Sequence, residues 1–121
     1  MENEKSALGL DGNITALIGY IIWIVALVLI FIEKDNKFVR FHAFQSVFFG
    51  LAMMVVIVVL SIFTGILSAV SGTLAGLFSL VFLLVWLGAI VGLIYLCIKA
   101  FQGQMAKLPI IGNIAENMAN K

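Results

Sequence analysis

Two long runs of uncharged, mostly apolar residues dominate the chain. The first extends from Ile14 to Ile32 and the second from Ala43 to Ile98, and neither contains Asp, Glu, Lys or Arg. The hydrocarbon core of a bilayer is about 30 Å thick, so a helix needs roughly 20 residues to cross it. A soluble domain of 121 residues could not bury this much apolar surface. The pattern therefore predicts an all-α integral membrane protein.

The lengths of these runs predict three transmembrane helices in one membrane domain, residues 1–121. The first run supplies one helix over about 14–32. The second fits two helices over about 39–67 and 74–101, with a hairpin at the small and hydroxyl residues 68–73. Helices are favoured over strands because the runs do not alternate polar and apolar residues as barrel strands do.

The polar tail predicts one further helix. Pro109 is typical of a helix start, and apolar residues recur after it at helical spacing, opposite Asn and Glu residues. The apolar residues of this face are Ile110, Ile111, Ile114 and Met118. The pattern predicts a short amphipathic helix over about 109–119. It either lies on the cytoplasmic membrane interface or docks onto the first polar loop.

Basic residues predict the orientation. All of them except Lys5 fall in the loop after the first run or in the C-terminal region: Lys34, Lys37, Arg40, Lys99, Lys107 and Lys121. With three spans these two regions share a side, which the positive-inside rule assigns to the cytoplasm. The prediction is a protein of the plasma (inner) membrane with its N-terminus outside and its first loop and C-terminus cytoplasmic.

Composition limits the function classes. The net charge of +1 provides no basic field for nucleic acid. A single cysteine, Cys97, excludes an internal disulfide and a cysteine-based metal cluster. The predicted spans carry no ionisable residue at their centres, and the sequence has no Ser–His–Asp set, phosphate loop or carboxylate pair. We therefore expect a non-enzymatic protein with no catalytic, cofactor-binding or metal site and no cofactor.

The first polar segment contains the candidate interaction residues Lys37, Arg40, His42 and Gln45. Asp35 or Asn36 could cap the helix that follows, since either side chain accepts hydrogen bonds from first-turn N–H groups. The segment is either an interfacial anchor, with basic groups reaching phosphates, or a polar cluster at a helix interface or partner contact. A lone histidine with no carboxylate at ligand spacing does not favour a metal site.

Small residues in the predicted spans indicate close helix packing. Gly88 and Gly92 form a G-x-x-x-G pattern, and Gly65 belongs to a row of small residues at four-residue steps. These positions fit packing within one chain, self-association, or packing on another subunit. Membrane lipids, other membrane subunits and further copies of the chain are thus the expected partners.

The two polar segments together resemble a known family. They are IEKDNKFVRFHAFQS, from Ile32 to Ser46, and KLPIIGNIAE, from Lys107 to Glu116. In this order and spacing they resemble an uncharacterised family of small bacterial and archaeal integral membrane proteins. That family is grouped with the twenty-kilodalton subunit of the chloroplast inner-envelope import translocon (Tic-like). The residues that match its motifs are Lys37, Arg40, His42, Gln45, Lys107, Pro109 and Gly112.

The resemblance implies no catalytic residue. Its plastid members are implicated in protein import and have four spans, whereas this sequence predicts three. Three hypotheses follow for the function. The first is a small subunit or scaffold of a larger membrane assembly, the second an oligomeric pore or protein-translocation component, and the third a lipid-sensing or membrane-shaping protein.

Overall fold

The computed structural model describes residues 4–121, and most of them lie in five α-helices. These are α1 (Gly12–Ile21), α2 (Trp23–Ile32), α3 (Lys37–Val70), α4 (Gly72–Phe101) and α5 (Ile111–Ala119). Residues 1–3, which the predicted domain 1–121 includes, lie outside the described part. The chain divides into unit 1, which runs to Gly50 and resumes over Leu93–Lys121, and unit 2, Leu51–Gly92.

Helices α3 and α4 are the two helices of the described residues that are long and apolar enough to cross a membrane. They contain 34 and 30 residues. They meet at Ser71, inside the small-residue segment where the sequence predicts a hairpin. The N–H of Ser71 donates to the Leu67 carbonyl, and its hydroxyl accepts a hydrogen bond from the N–H of Leu74.

The first apolar run is not the single helix expected over residues 14–32. It is interrupted at Ile22, whose backbone is extended (φ −116°, ψ 97°), and this leaves two helices of ten residues each. A Cβ placed on Gly19 would lie 3.8 Å from the Cα of Ala26. In a straight helix, residues seven apart are separated by about 10 Å along the axis. Helices α1 and α2 therefore fold back on each other as a hairpin, and the three-span count is not confirmed.

The α1–α2 hairpin is held by contacts that the local sequence does not reveal. The Gly19 carbonyl, which an uninterrupted helix would pair with the N–H of Trp23, accepts a 2.8 Å hydrogen bond from the Ser46 hydroxyl. The Trp23 indole N–H donates to the Ser46 carbonyl at 3.2 Å. The indole also lies against Gly50 of α3. The turn is thus specified by α3 and not by a Pro or a polar residue.

Unit 1 has a packed interior, made by α1, α2, the first turns of α3 and the last turns of α4. Its buried apolar residues are Ala16, Tyr20, Ala26, Leu29, Phe38, Val39, Ala43, Val47, Leu96 and Ala100. Unit 2 is mostly exposed apolar surface, with a ring contact between Phe63 and Phe78 at 6.4 Å. A Cβ at Gly65, Gly88 or Gly92 would meet nothing within 4 Å, so these glycines make no close helix contact within residues 4–121.

Helix α5 docks onto the first turns of α3 through its small residues, and part of its predicted apolar face stays exposed. Its buried residues are Gly112, Ala115 and Ala119, and the two alanines pack against Phe41 and Phe44 of α3. Two isoleucines assigned to the apolar face are instead solvent- or lipid-exposed: Ile110 at 75% and Ile114 at 48%. Small residues make this contact because only they let the α5 backbone approach the aromatic rings. The helix begins at Ile111, two residues after Pro109.

We expect Gly50→Ala to lower the thermal stability of the detergent-solubilised protein. Its new Cβ would lie within 3 Å of Trp23 indole atoms, and such overpacking costs about 1–3 kcal/mol. The matched control is Gly65→Ala on the same helix, where open space and better helix propensity predict an unchanged or raised melting temperature. In a Trp23→Ala background the Gly50→Ala penalty should vanish. Equal effects of the two glycine substitutions in the native background would contradict this packing.

Candidate functional site

The polar site of unit 1 begins with the cap of α3. The Asn36 side-chain oxygen accepts hydrogen bonds from the N–H groups of Phe38 and Val39 at 3.1 and 3.3 Å. Its side-chain nitrogen donates to the carbonyl of Glu4 at 3.3 Å. Of the two candidates from the sequence, Asn36 is therefore the residue that caps α3. This start sets the register that turns His42 and Gln45 into the interior of unit 1.

His42 is 1% exposed, and both of its ring nitrogens are hydrogen-bonded. Nε2 lies 3.0 Å from the carbonyl oxygen of Gln104, and Nδ1 lies 2.6 Å from the hydroxyl of Tyr20. A carbonyl only accepts, so these partners assign the ring proton to Nε2 and make Tyr20 the donor to Nδ1. The rings of Tyr20, Phe38 and Phe41 stand edge-on around the imidazole, at centroid distances of 5.3, 4.6 and 5.0 Å.

Gln45 is completely buried, and both its amide nitrogen and its amide oxygen are hydrogen-bonded. Its amide nitrogen donates to the Tyr20 hydroxyl and to the Ala106 carbonyl, each at 2.8 Å. Its amide oxygen accepts from the N–H of Leu108 at 2.8 Å. Together with His42, it binds the main chain at alternate residues 104, 106 and 108, as a neighbouring strand would. We call this set of bonds the His42–Gln45 network.

Arg40 binds the ends of two helices. Its guanidinium donates to the carbonyl of Glu33 at 2.6 Å, and to those of Ala119 and Met118 at 3.2 and 3.4 Å. Glu33 follows the last residue of α2, and the other two carbonyls end α5. Carbonyls at helix C-termini lack intrahelical partners and carry partial negative charge, which suits a guanidinium. The same group lies 5.4 Å from the ring centroid of Phe44.

The N-terminal segment is tied to the same unit. The Glu33 carboxylate, 4% exposed, accepts a hydrogen bond from the N–H of Ala7 at 2.8 Å. The hydroxyls of Ser6 and Thr15 are 2.6 Å apart. The Asn13 amide donates to the carbonyl of Phe101, the last residue of α4, at 3.0 Å. The beginning of α1, the end of α2 and the end of α4 are therefore linked by polar contacts.

The residues that match the resembled family motifs divide into two groups. Arg40, His42 and Gln45 converge on the segment from Gln104 to Ala119, and Gly112 is buried beside Lys107, where a Cβ would overlap the lysine main chain. The others are exposed: Lys37, Pro109 and Lys107. Lys107 forms a 2.8 Å ion pair with Glu116, and because both side chains are over a third exposed it contributes about 0–1 kcal/mol.

Sequence reasoning missed several members of the site. Tyr20 was not among the candidate residues, yet its hydroxyl joins His42 to Gln45. The only available signal was a phenol inside an otherwise apolar run, since buried tyrosine hydroxyls generally find partners. The main-chain groups of residues 104–108 carry no sequence signature at all. Trp23 of α2 contacts Gly50 of α3, and the residue periodicity within each helix does not predict contacts between helices.

The chemistry of the site is the binding of main-chain groups. Every buried side-chain nitrogen and oxygen of residues 4–121 has a hydrogen-bond partner. Within the same residues, no group of three His, Cys, Asp or Glu side chains could hold a metal ion. The donors of Arg40, His42 and Gln45 are directed at carbonyls of the chain itself. The arrangement positions the tail and α5 against α3.

Comparison with known proteins finds relatives over nearly the whole chain. A profile of the magnetosome magnetite crystal formation protein family matches residues 6–115. A UPF0132 membrane protein of Methanocaldococcus jannaschii is 35% identical over 115 residues, covering 93% of this chain and 92% of the relative. A second from that organism is 34% identical over 111 residues, covering 91% and 71%. One from Archaeoglobus fulgidus is 31% identical over 113 residues, covering 86% and 91%.

These matches support a family of small membrane proteins, as the sequence resemblance implies. They do not support its grouping with the chloroplast import subunit. No solved structure matches the chain. Membrane localisation is supported by relatives that are called membrane proteins and by the two long apolar helices.

We expect Gln45→Leu to release the segment 104–108. The substitution leaves the Leu108 N–H and the Ala106 carbonyl without their buried partner, and each orphaned group costs about 1–3 kcal/mol. Hydrogen exchange should accelerate at the Leu108 amide. The matched control is Gln104→Ala, because Gln104 contributes only its carbonyl to the network and its side chain is exposed. Unchanged Leu108 protection in Gln45→Leu would show that the network does not hold the tail.

Proposed function

The chain belongs to the magnetosome magnetite crystal formation protein family, and we propose that it is a non-enzymatic scaffold subunit of a larger membrane assembly. The proposal takes the membrane setting from the family and the mechanism from this chain's own side chains. Unit 1 would supply a rigid platform at the cytoplasmic membrane surface. Helix α5 would be its partner-facing element.

The observation that carries the proposal is the use made of the polar side chains. Arg40, His42 and Gln45 bind seven main-chain or side-chain partners between them, and these bonds hold α5 and the segment before it. A fully satisfied buried network rigidifies the structure around it. Reactive groups in enzymes need access to substrate, whereas His42 and Gln45 are buried. The use of these side chains to hold α5 and the segment before it in place supports an architectural role.

The docked helix offers a mixed surface. While Ala115 and Ala119 face the platform, Ile114 is 48% exposed, and Asn113 and Asn117 are exposed one turn apart. Ile110, 75% exposed, adds an apolar group in front of the helix. Apolar anchors beside amide groups are suited to a protein contact, which needs both burial and directional hydrogen bonds. This face is the part of the platform that we assign to a partner subunit.

We further propose a revised topology with two spans, α3 and α4, and with both termini in the cytoplasm. It replaces the external N-terminus expected with three spans. The bonds from Ala7 to Glu33, from Asn36 to Glu4 and from Asn13 to Phe101 favour it, because they join segments that three spans would separate. All seven basic residues then fall on one side, and none lies in the hairpin at Ser71.

Reporter fusions test this topology. A reporter on either terminus should report the cytoplasm, and one inserted at Ser71 should report the outside, since two spans return the chain to its starting side. The Ser71 insertion is the control that the α3–α4 pair crosses the membrane. Termini that report opposite compartments would restore the three-span arrangement.

A mild-detergent pull-down from the native membrane tests the scaffold role. We expect a stoichiometric complex larger than the chain on native gels, with partners identified by mass spectrometry. Ile114→Asp should weaken it at least tenfold, or by about 1.4 kcal/mol, with an unchanged melting temperature because the side chain is exposed. Arg40→Lys should weaken it through loss of α5 docking, since an ammonium cannot reproduce the fork that reaches three carbonyls.

Lys37→Ala is the matched control for Arg40→Lys, because Lys37 is exposed on the same helical turn. It should leave the complex intact. A wild-type protein that purifies alone, or a complex indifferent to both Ile114→Asp and Arg40→Lys, would refute the scaffold proposal.

A further inference from the structure

The α1–α2 hairpin reaches only part of the way through a bilayer. Each of its helices has ten residues, which at a rise of about 1.5 Å per residue gives about 15 Å. The hydrocarbon core is about 30 Å thick. A hairpin of this length that enters from one side therefore ends close to the midplane.

The polarity of the hairpin indicates how it enters. At its open end charged side chains are exposed: Lys5, Lys34 and Asp35. At its closed end the exposed side chains are apolar: Ile21 at 64%, Ile22 at 50% and Ile24 at 68%. Exposed isoleucines belong in hydrocarbon, and exposed charged groups belong at the interface or in water.

The interrupted backbone at the closed end is compatible with this depth. Irregular backbone is tolerated in the hydrocarbon region only where protein groups pair it. The Gly19 carbonyl is paired by the Ser46 hydroxyl, and the Ile22 N–H is paired by the Ile18 carbonyl at 2.8 Å. These two polar groups of the bend therefore have protein partners and need no water.

We propose that the hairpin inserts into one leaflet only and that the protein consequently prefers curved membrane, with the hairpin leaflet on the convex side. Two helices of about 10 Å diameter add about 150 Å² to that leaflet and none to the opposite one. Unequal leaflet areas are relieved by bending. The ligand of this surface is lipid, namely a bilayer of high curvature, and the inference does not depend on the scaffold role.

Tubes pulled from giant vesicles test the preference. The full chain, with a fluorophore on a C-terminal tag, is reconstituted into phosphatidylcholine–phosphatidylglycerol vesicles. Quenching of external tags separates the two orientations. Since the tag and the hairpin base share a side in the proposed topology, molecules with external tags carry the hairpin in the outer, convex leaflet of the tube. These should be enriched about twofold or more over a lipid dye, and the reverse orientation should be depleted.

Enrichment of one orientation and depletion of the other in the tube cannot come from a folding defect, because both orientations are the same protein in the same vesicle. Equal tube and vesicle densities for both orientations would overturn the proposal.

A depth measurement supplies a second test. In a Cys97→Ser background, a spin label at Ile22→Cys should show high oxygen and low nickel accessibility, as at the midplane. The cysteines of Leu8→Cys and Lys34→Cys should react with impermeant maleimide from the same side of the membrane. Reaction from opposite sides would also overturn the proposal.

Discussion

Buried backbone polar groups are costly to leave without partners, and unit 1 is organised around that constraint. The chain departs from helical geometry at Ile22 and again between Phe101 and Ile111. At each departure side chains of α3 bind main-chain groups: Ser46 binds one at the first, and His42 and Gln45 bind three at the second. Arg40 does the same for the carbonyls that end α2 and α5. One helix thereby stabilises the irregular backbone of three other segments.

This arrangement gives the first turns of α3 a role different from the rest of the helix. Between Phe38 and Val47 the side chains are buried or half-buried and make polar and aromatic contacts in unit 1. Beyond Gly50 the helix is apolar and largely exposed, as a lipid-facing span is. The helix therefore combines an apolar part suited to the bilayer with a polar part that binds the tail. Aromatic rings around His42 exclude water from the His42–Gln45 network, which makes its hydrogen bonds stronger than exposed ones.

The sequence predicted the features that depend on composition and length. Helical structure, the membrane setting, the α3–α4 junction near Ser71 and a short C-terminal helix all follow from apolar runs and small-residue breaks. The break at Ile22 could not be predicted, because Ile is no helix breaker and the turn depends on Ser46, Trp23 and Gly50. Periodicity located the apolar face of α5, but it did not show that small residues, Ala115 and Ala119, make the contact with Phe41 and Phe44. Polar residues were located, but apart from the Tyr20 hydroxyl their partners are main-chain atoms that leave no sequence pattern.

The large sequence separation of these bonds has a consequence for biogenesis. Arg40 binds carbonyls 78 and 79 residues later in the chain, and His42 and Gln45 bind groups 62 and 63 residues later. At a synthesis rate of about 5–20 residues per second, these partners emerge several seconds after α3 does. The nascent helix must hold its polar turns in contact with water or with the insertion machinery throughout that interval. Full burial of α3 in its final position is thus a late step, which completion of the tail permits.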